Sequence, residues 1–307
     1  MGTALISRIL TGERGDVEGI TVLSRNESKQ HDLKMRFPQV HFVPGDIRSR
    51  PRVEQAVEGT HIIFHAAAMK HVQNCANHPI EATEINVNGT KNLIHAIRSE
   101  GLVEAVVGVS SDKGRDPRNH YGQTKEEQER LLLEANGSVS ETKFVCVCYG
   151  NVMASSGSVI EIWRKQLLGG GPVTITDPSM TRFLISLDQA VDTLFAALEY
   201  GAPGEVYVPM IPAASIGDMA AVLVNGVVPL KSIGKWEGEK MHETLITDEE
   251  APRVVQRGGY YVVTKQIQDM PVITGKYISR DHLVSREKLR GLLAKAGLLF
   301  QDEKVTA

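Results

Sequence analysis

The sequence lacks the features of a membrane protein, a secreted protein or a polymer-binding protein. No apolar run reaches the roughly 18 residues that a spanning helix needs, and the N-terminus lacks the regions of a secretion signal. The 34 Lys and Arg residues nearly balance the 37 Asp and Glu residues, so the formal net charge is only -3. This balance provides no general attraction for nucleic acid or an anionic membrane. We therefore expect a cytoplasmic protein with neither kind of partner.

Cysteine is also scarce, with three in 307 residues and no C-x-x-C spacing. Cys146 and Cys148 alternate within an apolar run that predicts a buried strand. We interpret these two residues and Cys75 as small core residues rather than as metal ligands or disulfide partners. The sequence also lacks internal repeats and low-complexity tracts.

What is present is an ordinary globular composition, with 42% hydrophobic and 23% charged residues, enough for a sizeable core. Short β-rich apolar runs alternate with helical stretches, a pattern that predicts a parallel sheet with helices on both faces. The predicted strands are residues 20–23, 40–43, 62–65, 105–109 and 144–147, and the predicted crossover helices lie within 79–99 and 124–135.

The character of the sequence changes after about residue 150. Glycine and proline breaks become frequent, as at 169–172, and a basic amphipathic stretch occupies 286–299. We therefore expect a doubly wound α/β fold of the Rossmann kind with a smaller C-terminal substrate domain. The predicted dinucleotide-binding domain comprises residues 1–150 and about 184–212, and the predicted substrate-binding region comprises 151–183 and about 213–307.

The segment Thr11-Gly12-Glu13-Arg14-Gly15 imitates a T-G-x-x-G phosphate loop. Such a loop must follow a strand and open a helix whose N-terminal N–H groups hold the pyrophosphate. Here the strand at 20–23 follows almost at once, so we predict a helix at 3–10 and a loop at 12–19. The first strand and glycine loop of a Rossmann-like fold would then be absent, leaving two strands without a neighbour. This favours a truncated or alternative start over a rearranged fold.

The predicted cofactor residues follow the first two predicted strands. An Arg at the end of the predicted strand 20–23 suits the 2'-phosphate of NADP, whereas an Asp or Glu there would accept the ribose 2'-hydroxyl of NAD. Ser24 and Arg25, supported by Lys29, therefore predict NADP, with NAD as the alternative and a solvated basic turn as the other interpretation of Arg25. Asp46 and Ile47 follow the next strand, where a carboxylate can reach the adenine amino group.

The predicted reactive residues are Ser111, Asp112 and Lys113, at the end of a buried strand, and Tyr121 and Lys125, at the start of a helix. Ligands bind at strand ends of a parallel sheet. Tyr and Lys four residues apart share a helix face, so the ammonium can lower the phenol pKa and hold ribose hydroxyls. This supplies a general base for oxidising an alcohol by hydride transfer. The alternatives are a solvated helix face for Tyr121 and Lys125 and a surface salt bridge for Asp112 and Lys113.

Together these motifs resemble the UDP-N-acetylglucosamine 4,6-dehydratases of polysaccharide biosynthesis and flagellin glycosylation, which are extended short-chain dehydrogenases/reductases. The resemblance extends from Gly2 to about Leu299. Besides the Ser-Ser-Asp-Lys motif with its Tyr and Lys, the matching segments are Ala66-Ala67-Ala68-Met69-Lys70-His71-Val72, Tyr149-Gly150-Asn151-Val152, residues 175–178 and 180–183, Gly238-Glu239-Lys240 and His242-Glu243.

The resemblance implies NADP-dependent conversion of a UDP-N-acetylhexosamine to a 4-keto-6-deoxy sugar nucleotide, with the configuration at C5 left open. Tyr121, activated by Lys125, would take the C4 hydroxyl proton as hydride leaves C4. Lys113 would remove the C5 proton while Asp112 protonates the departing C6 hydroxyl, and hydride would return to C6. These roles require a lowered pKa for Lys113 and a raised one for Asp112. Ser111 would orient the sugar or the ketone oxygen.

The resemblance also implies binding roles and self-association. The residues assigned to the cofactor pocket are Ala66, Lys70 and Val152, and those assigned to the UDP-sugar are Asn151, Arg182 and, at the uridine end, Glu239. Cys148 and Ser156 occupy positions where the family has Arg. Trp236 occupies the position of a diphosphate-binding Arg, so that positive charge is lost unless Lys235 replaces it.

Two other functions therefore stay open. A nucleotide-sugar 4-epimerase would use Tyr121 and Lys125 but would not need Asp112 and Lys113. A catalytically silent, truncated homologue would bind a nucleotide-sugar or a partner chain.

Overall fold

The computed structural model of the chain describes residues 1–13, 15–139, 141–153, 155 and 157–300. Arg14 and Ser156, which entered the sequence predictions, lie outside these ranges. The helices are α1 (Gly2–Leu10), α2 (Glu27–Arg36), α3 (Arg50–Val57), α4 (Val72–Asn77), α5 (Pro79–Thr83), α6 (Gly89–Glu100), α7 (His120–Ala135), α8 (Val159–Leu168), α9 (Leu187–Tyr200), α10 (Ile216–Val224) and α11 (Arg286–Lys295). A π-helical turn, Glu84–Asn88, joins α5 to α6, and 3₁₀ turns occupy Asp112–Gly114, Ala251–Arg253 and Ser279–His282.

The strands that the structure describes are β1 (Thr21–Ser24), β2 (His41–Pro44), β3 (Ile62–His65), β4 (Ala105–Val109), β5 (Lys143–Val147), β6 (Asn151–Val152), β7 (Val173–Ile175), β8 (Thr181–Ile185), β9 (Val206–Pro209), β10 (Ala213–Ser215), β11 (Leu230–Ser232), β12 (Thr244–Ile246), β13 (Val254–Arg257), β14 (Tyr260–Val263) and β15 (Tyr277–Ile278).

The main sheet has six strands in the order β13-β14-β9-β5-β4-β3. The four strands from β9 to β3 run parallel, and β14 and β13 are added antiparallel at one end. β4 and β5 are almost wholly buried, as expected of parallel strands covered on both faces. The structure thus confirms the predicted Rossmann-like α/β fold, and the predicted strands agree with the observed ones to within one residue.

A second parallel pair, β1-β2, lies apart from the main sheet. In the described part of the chain β1 pairs only with β2, and β3 pairs only with β4. Helix α1 contributes to both parts, since Leu5 belongs to the main core and Ile6 packs with Phe37 and Val40 beside β1 and β2. Because Gly12 and Gly15 lie in the loop that leaves this helix, the T-G-x-x-G segment is not a strand-to-helix phosphate loop, as predicted.

Helices α7 and α9 pack against the main sheet, α7 on β4 and β5 and α9 on β4, β5 and β9. Helix α6 contacts both α3 and α7, and α1 contacts α9. Helix α7 begins four residues earlier than predicted, because the Asn119 side chain accepts a hydrogen bond from the Gly122 N–H and caps its first turn. None of the described helices is long and apolar enough to cross a membrane.

A second hydrophobic core lies in the C-terminal half and includes the fully buried Trp163, Met180 and Leu289. Of three further small sheets, β6-β8-β10 and β7-β11 contribute residues to it, whereas the buried hydrophobic residues of β12-β15 belong to the main core. One observation departs from the predicted boundaries: β13 and β14, which fall in the predicted substrate-binding region, extend the main sheet through β9. Sequence pattern does not reveal such distant strand pairing. The division into two domains stays a prediction.

Candidate active site

Most of the predicted site residues lie at the carboxyl ends of the parallel strands. Ser24 ends β1, Asp46 follows β2, Ala66 follows β3, Asp112 follows β4 and Asn151 follows β5. In open α/β sheets ligands bind along this edge. The fold therefore brings residues that are up to 127 positions apart in the chain to one edge of the structure.

Tyr121, Ser111 and Asp112 form a hydrogen-bonded chain. The Tyr121 hydroxyl bonds the Ser111 side chain, and Ser111 Oγ donates to Asp112 Oδ1 at 2.9 Å. Helix α7 approaches closely enough for this only because residue 122 is glycine: a Cβ there would lie 2.3 Å from the Lys113 carbonyl oxygen. Asp112 is only 1% exposed, so it is not part of an ordinary surface salt bridge.

Lys113 lies among oxygen ligands. Its Nζ is 3.1 and 3.2 Å from the two carboxylate oxygens of Asp112, 3.1 Å from Asn151 Oδ1 and 3.5 Å from Glu243 Oε1. Burial alone would lower the pKa of Lys113, but the charges of Asp112 and Glu243 raise it above its ordinary value. This corrects the expectation of a lowered pKa: in this state Lys113 is protonated.

Glu243, which matches the family but has no predicted role, lies at the centre of a buried charge cluster. It is 3.0 Å from Lys240 and 3.7 Å from Arg182, in addition to its contact with Lys113. Burial would raise the pKa of Glu243, but these three cations lower it to about 2. Arg182 also pairs with Glu239 at 3.3 Å.

Lys240 is the other residue without a predicted role. Its Nζ donates to the carbonyl oxygens of Asp112 at 2.9 Å and Arg115 at 2.7 Å, and so fixes the loop after β4. The sequence signal for Lys240 and Glu243 was that a lysine and a glutamate lie three residues apart in a charged stretch. That spacing could not show that the two side chains would contact residues 112 and 113.

Lys125 lies in a different environment. Its Nζ donates to Val109 O at 2.6 Å and to the side-chain oxygen of Gln128. Burial lowers the pKa of Lys125 to about 8. The pKa of Tyr121 is raised to about 12 by its own burial, and the groups that act to lower it are Lys113 and Ser111. The depressed phenol pKa expected from Lys125 is therefore wrong for this state, because Lys125 is directed toward Val109 and Gln128.

The predicted cofactor residues lie near the amino end of α1. After burial, the charges of Lys70 and Lys29 are what lower the pKa of the Met1 amino group, which places both lysines near the first turn of that helix. Arg25 Nη1 is 3.8 Å from Asp46, whose carboxylate binds Arg48 at 2.8 Å. Arg48 is the largest cause of the lowered pKa of Asp46. Asp46 is thus already engaged where we expected it to meet adenine.

The remaining predicted cofactor residues differ in accessibility. Ala66 is exposed at the end of β3, and Val152 is partly buried in β6. Ile47 is 8% exposed and packs so closely against α6 that a Cβ at Gly89 would lie 2.6 Å from it. Only the backbone and edge of Ile47 can face a ligand.

The residues at this edge fit a dinucleotide. Lysines 29 and 70 and the amino end of α1 can hold phosphate groups, and Arg25 can hold a 2'-phosphate. Ser110 Oγ is buried directly after β4 without a hydrogen-bond partner among the described residues, so a ligand at the strand end could supply one. Lys125 and Tyr121 lie at the same edge and could bind ribose hydroxyls.

The fold and this edge define a Rossmann-like α/β protein of the short-chain dehydrogenase/reductase kind. The family model described as polysaccharide biosynthesis protein matches residues 1–265, and the chain belongs to that family.

Similar curated proteins include UDP-glucose 4-epimerases from Rickettsia species. The one from Rickettsia rickettsii is 37% identical and the one from Rickettsia bellii 36% identical, each over 277 residues, 88% of this chain and 81% of the relative. Among solved structures, Pen from Bacillus thuringiensis is 34% identical, with a TM-score of 0.90 over 96% of this chain and 94% of that one. The dTDP-glucose 4,6-dehydratase DesIV from Streptomyces venezuelae shares the fold at 20% identity, with a TM-score of 0.70 over 78% of this chain and 83% of that one.

Proposed function

We propose that this enzyme dehydrates a UDP-N-acetylhexosamine to a 4-keto-6-deoxy sugar nucleotide. The observation that carries the proposal is the ion pair of buried Asp112 with partly buried Lys113, which Ser111 links to the hydroxyl of Tyr121. Oxidation at C4 needs one base, whereas the loss of water across C5 and C6 needs a further base and an acid. The site contains all three kinds of group within one hydrogen-bonded chain.

The acid and the base arise from one proton shift. Lys113 Nζ donates to both carboxylate oxygens of Asp112, so transfer of that proton yields a neutral amine and a carboxylic acid. Lys113 is protonated in this state, and a bound sugar that excludes water from the partly exposed Lys113 would favour the neutral pair over the ion pair. Lys113 can then take the C5 proton while Asp112 protonates the departing C6 hydroxyl, which leaves as water.

Tyr121 and Lys125 serve the oxidation at C4. Tyr121 takes the hydroxyl proton, and its hydrogen bond to Ser111 aligns the phenol oxygen. Lys125 binds the ribose hydroxyls of the cofactor. The nicotinamide supplies a reversible hydride acceptor, so the only net change in the sugar is the loss of one water. Asn151, Arg182 and Glu239 would contact the UDP-sugar.

The proposed cofactor is NADP, held by Arg25 with Ser24 and Lys29. Arg25 is half exposed beside the end of β1, so its guanidinium can reach a 2'-phosphate. NAD is the alternative, since the DesIV dehydratase and a Thermus thermophilus UDP-glucose 4-epimerase were solved with NAD. Calorimetry with both cofactors decides: we expect tighter binding of NADP, and loss of that preference in Arg25→Ala.

Self-association and a cytoplasmic location are part of the same proposal.

A nucleotide-sugar 4-epimerase is the second candidate. The names of the Rickettsia relatives favour it, and so does the raised pKa of Lys113, since an epimerase does not need this lysine as a base. Both reactions begin with oxidation at C4. They differ in whether water is lost.

The experiment incubates the chain with NADP and UDP-N-acetylglucosamine and measures the product by mass spectrometry. We expect a product lighter by one water. Asp112→Asn and Lys113→Ala should each lower its formation about 10²–10⁴-fold, whereas Asp269→Asn, on an exposed loop, should not change it. A product of unchanged mass with inverted C4, formed equally by these variants, would establish the epimerase instead.

A further inference from the structure

Lys125 is held by two uncharged oxygen atoms in the interior of the protein. Its Nζ donates to the Val109 carbonyl at 2.6 Å and to the side-chain oxygen of Gln128. Lys125 is 4% exposed and Gln128 1% exposed. Among the described residues no carboxylate forms an ion pair with Lys125. A buried ammonium with only neutral partners is rare, because burial favours its uncharged form.

The orientation of the Gln128 amide is fixed by its other end. Gln128 Nε2 donates to His65 Nε2 at 2.7 Å. Burial, followed by the charge of Lys125, lowers the pKa of His65 to about 3, so the imidazole is neutral. Because the Lys125 ammonium can only donate, the amide oxygen of Gln128 must face it and the amide nitrogen must face His65. The amide nitrogen donates to the His65 tautomer whose Nε2 carries no proton, and the same Nε2 is 3.0 Å from Thr90 Oγ1.

Further hydrogen bonds tie this amide to the segments around it. Thr90 Oγ1 donates to Asn86 O at 2.8 Å, which leaves it free to accept from Gln128 at 3.2 Å. The Asn86 side chain donates to Thr124 Oγ1 at 2.9 Å, one residue before Lys125. The network connects β3, the π-helical turn, α6 and α7, so Gln128 is held by several elements and cannot turn away without breaking several bonds.

The other titratable groups near Lys125 are less suited to hold it. The titratable groups around Lys125 are Cys146 and Cys148 of the β5 segment, Glu129 of α7 and His65 of β3. Burial raises the pKa of both thiols, so they are uncharged at neutral pH. Glu129 binds Arg115 at 2.8 Å. Gln128 therefore provides the side-chain acceptor that Lys125 uses.

We infer that Gln128 is the positioning residue for Lys125, which it holds as a neutral oxygen acceptor at the carboxyl end of β4. Its importance for catalysis rests on the proposed function, in which protonated Lys125 binds the ribose hydroxyls of the cofactor. A carboxylate at position 128 would hold the ammonium and favour it, whereas an apolar side chain would remove the acceptor and disfavour it. Gln128 thus sets both the position of Lys125 and the pH at which it loses its proton.

The test is NMR titration of the protein labelled with ¹³C at the lysine Cε atoms, with the Lys125 resonance assigned by its loss in Lys125→Arg. We expect the Lys125 midpoint near pH 8 in the wild type, about one unit or more higher in Gln128→Glu, and lower in Gln128→Met. Gln123→Glu and Gln123→Met, on the exposed face of the same helix, should leave the midpoint unchanged.

Activity supplies a second measurement. Because the protonated lysine is the working form, Gln128→Glu should match the wild type below pH 8 and become progressively faster than it above pH 8. A merely structural role for Gln128 would not move the titration in opposite directions in the two variants. An unmoved midpoint in a folded Gln128→Glu variant, whose side chain keeps the shape of glutamine, overturns the inference even when the sugar is dehydrated. Absence of a dehydrated product contradicts the proposed function and leaves the titration result standing.

Discussion

Two lysines near the carboxyl end of β4, the partly buried Lys113 and the buried Lys125, have opposite electrostatic environments. Lys113 faces the carboxylates of Asp112 and Glu243, and its pKa is raised. Lys125 faces the oxygens of Val109 and Gln128, and its pKa is lowered to about 8. Burial acts in the same direction on both, so the partners alone decide the sign of the change. One fold can thereby keep one lysine firmly charged and the other close to its titration point.

The largest expected effect comes from removing each lysine in turn. Lys113→Met should lower the free energy of unfolding by about 3–5 kcal/mol, because it leaves Asp112 and Glu243 as less compensated buried charges. Lys125→Met should cost about 1–2 kcal/mol, because relief of the buried ammonium offsets the two acceptors that lose a donor. Urea unfolding at pH 7 measures both. Equal losses would mean that the partners do not distinguish the two sites.

The charged cluster should also produce a dependence of stability on acid. Glu243 has a folded-state pKa of about 2 against an ordinary 4.5. Its contribution is fully present above pH 4.5 and is lost as the pH falls toward 2, with a total of about 3 kcal/mol. Glu243→Gln should lose this contribution at pH 7 and should show a flatter dependence between pH 4.5 and 2. An unchanged acid limb would show that the cluster does not stabilise the Glu243 carboxylate.

The hydrogen-bond network around Lys125 should lose stability at a higher pH than the charge cluster of Glu243, because His65 belongs to it. His65 has a pKa of about 3 against an ordinary 6.5, so the unfolded chain takes up a proton at this position first as the pH falls. Stability that is present above pH 6.5 should fall by about 2 kcal/mol at pH 5. His65→Asn should remove this slope, and His95→Asn, on the exposed face of α6, should retain it. Thermal unfolding at a series of pH values provides the measurement.

The smallest effect is expected for an ion pair in water. Arg50 and Glu54 pair at 2.8 Å on the exposed face of α3. Glu54→Gln should lower the free energy of unfolding by only about 0.3–0.5 kcal/mol, because solvent screens the pair. A loss as large as that of Glu243→Gln would contradict burial as the reason for the strength of the charged cluster.

The alternation of apolar runs and helices was sufficient to predict the parallel sheet, because each strand must be buried on both faces and each crossover must be helical. Local rules also identified the helix at the N-terminus and excluded the segment around Gly12 and Gly15 as a phosphate loop. The expected pair of strands without a neighbour is also observed, since in the described residues β1 pairs only with β2 and β3 only with β4. The pairing of β14 with β9 was not predictable in this way, because it depends on contacts between segments distant in the chain.

For the site, the sequence by itself determined which chemistry was present. Strand and helix periodicity predicted that Ser111, Asp112 and Lys113 lie at a strand end. It also placed Tyr121 and Lys125 on one face of the next helix.

Only the tertiary structure decided the protonation states of these groups, because a pKa depends on the charges and the water that surround a side chain. Glu243 and Lys240 reach the loop after β4 from more than a hundred residues away, and His65 fixes the amide that holds Lys125. Sequence spacing carries no information about such meetings. They follow from the closing of the fold around one sheet edge.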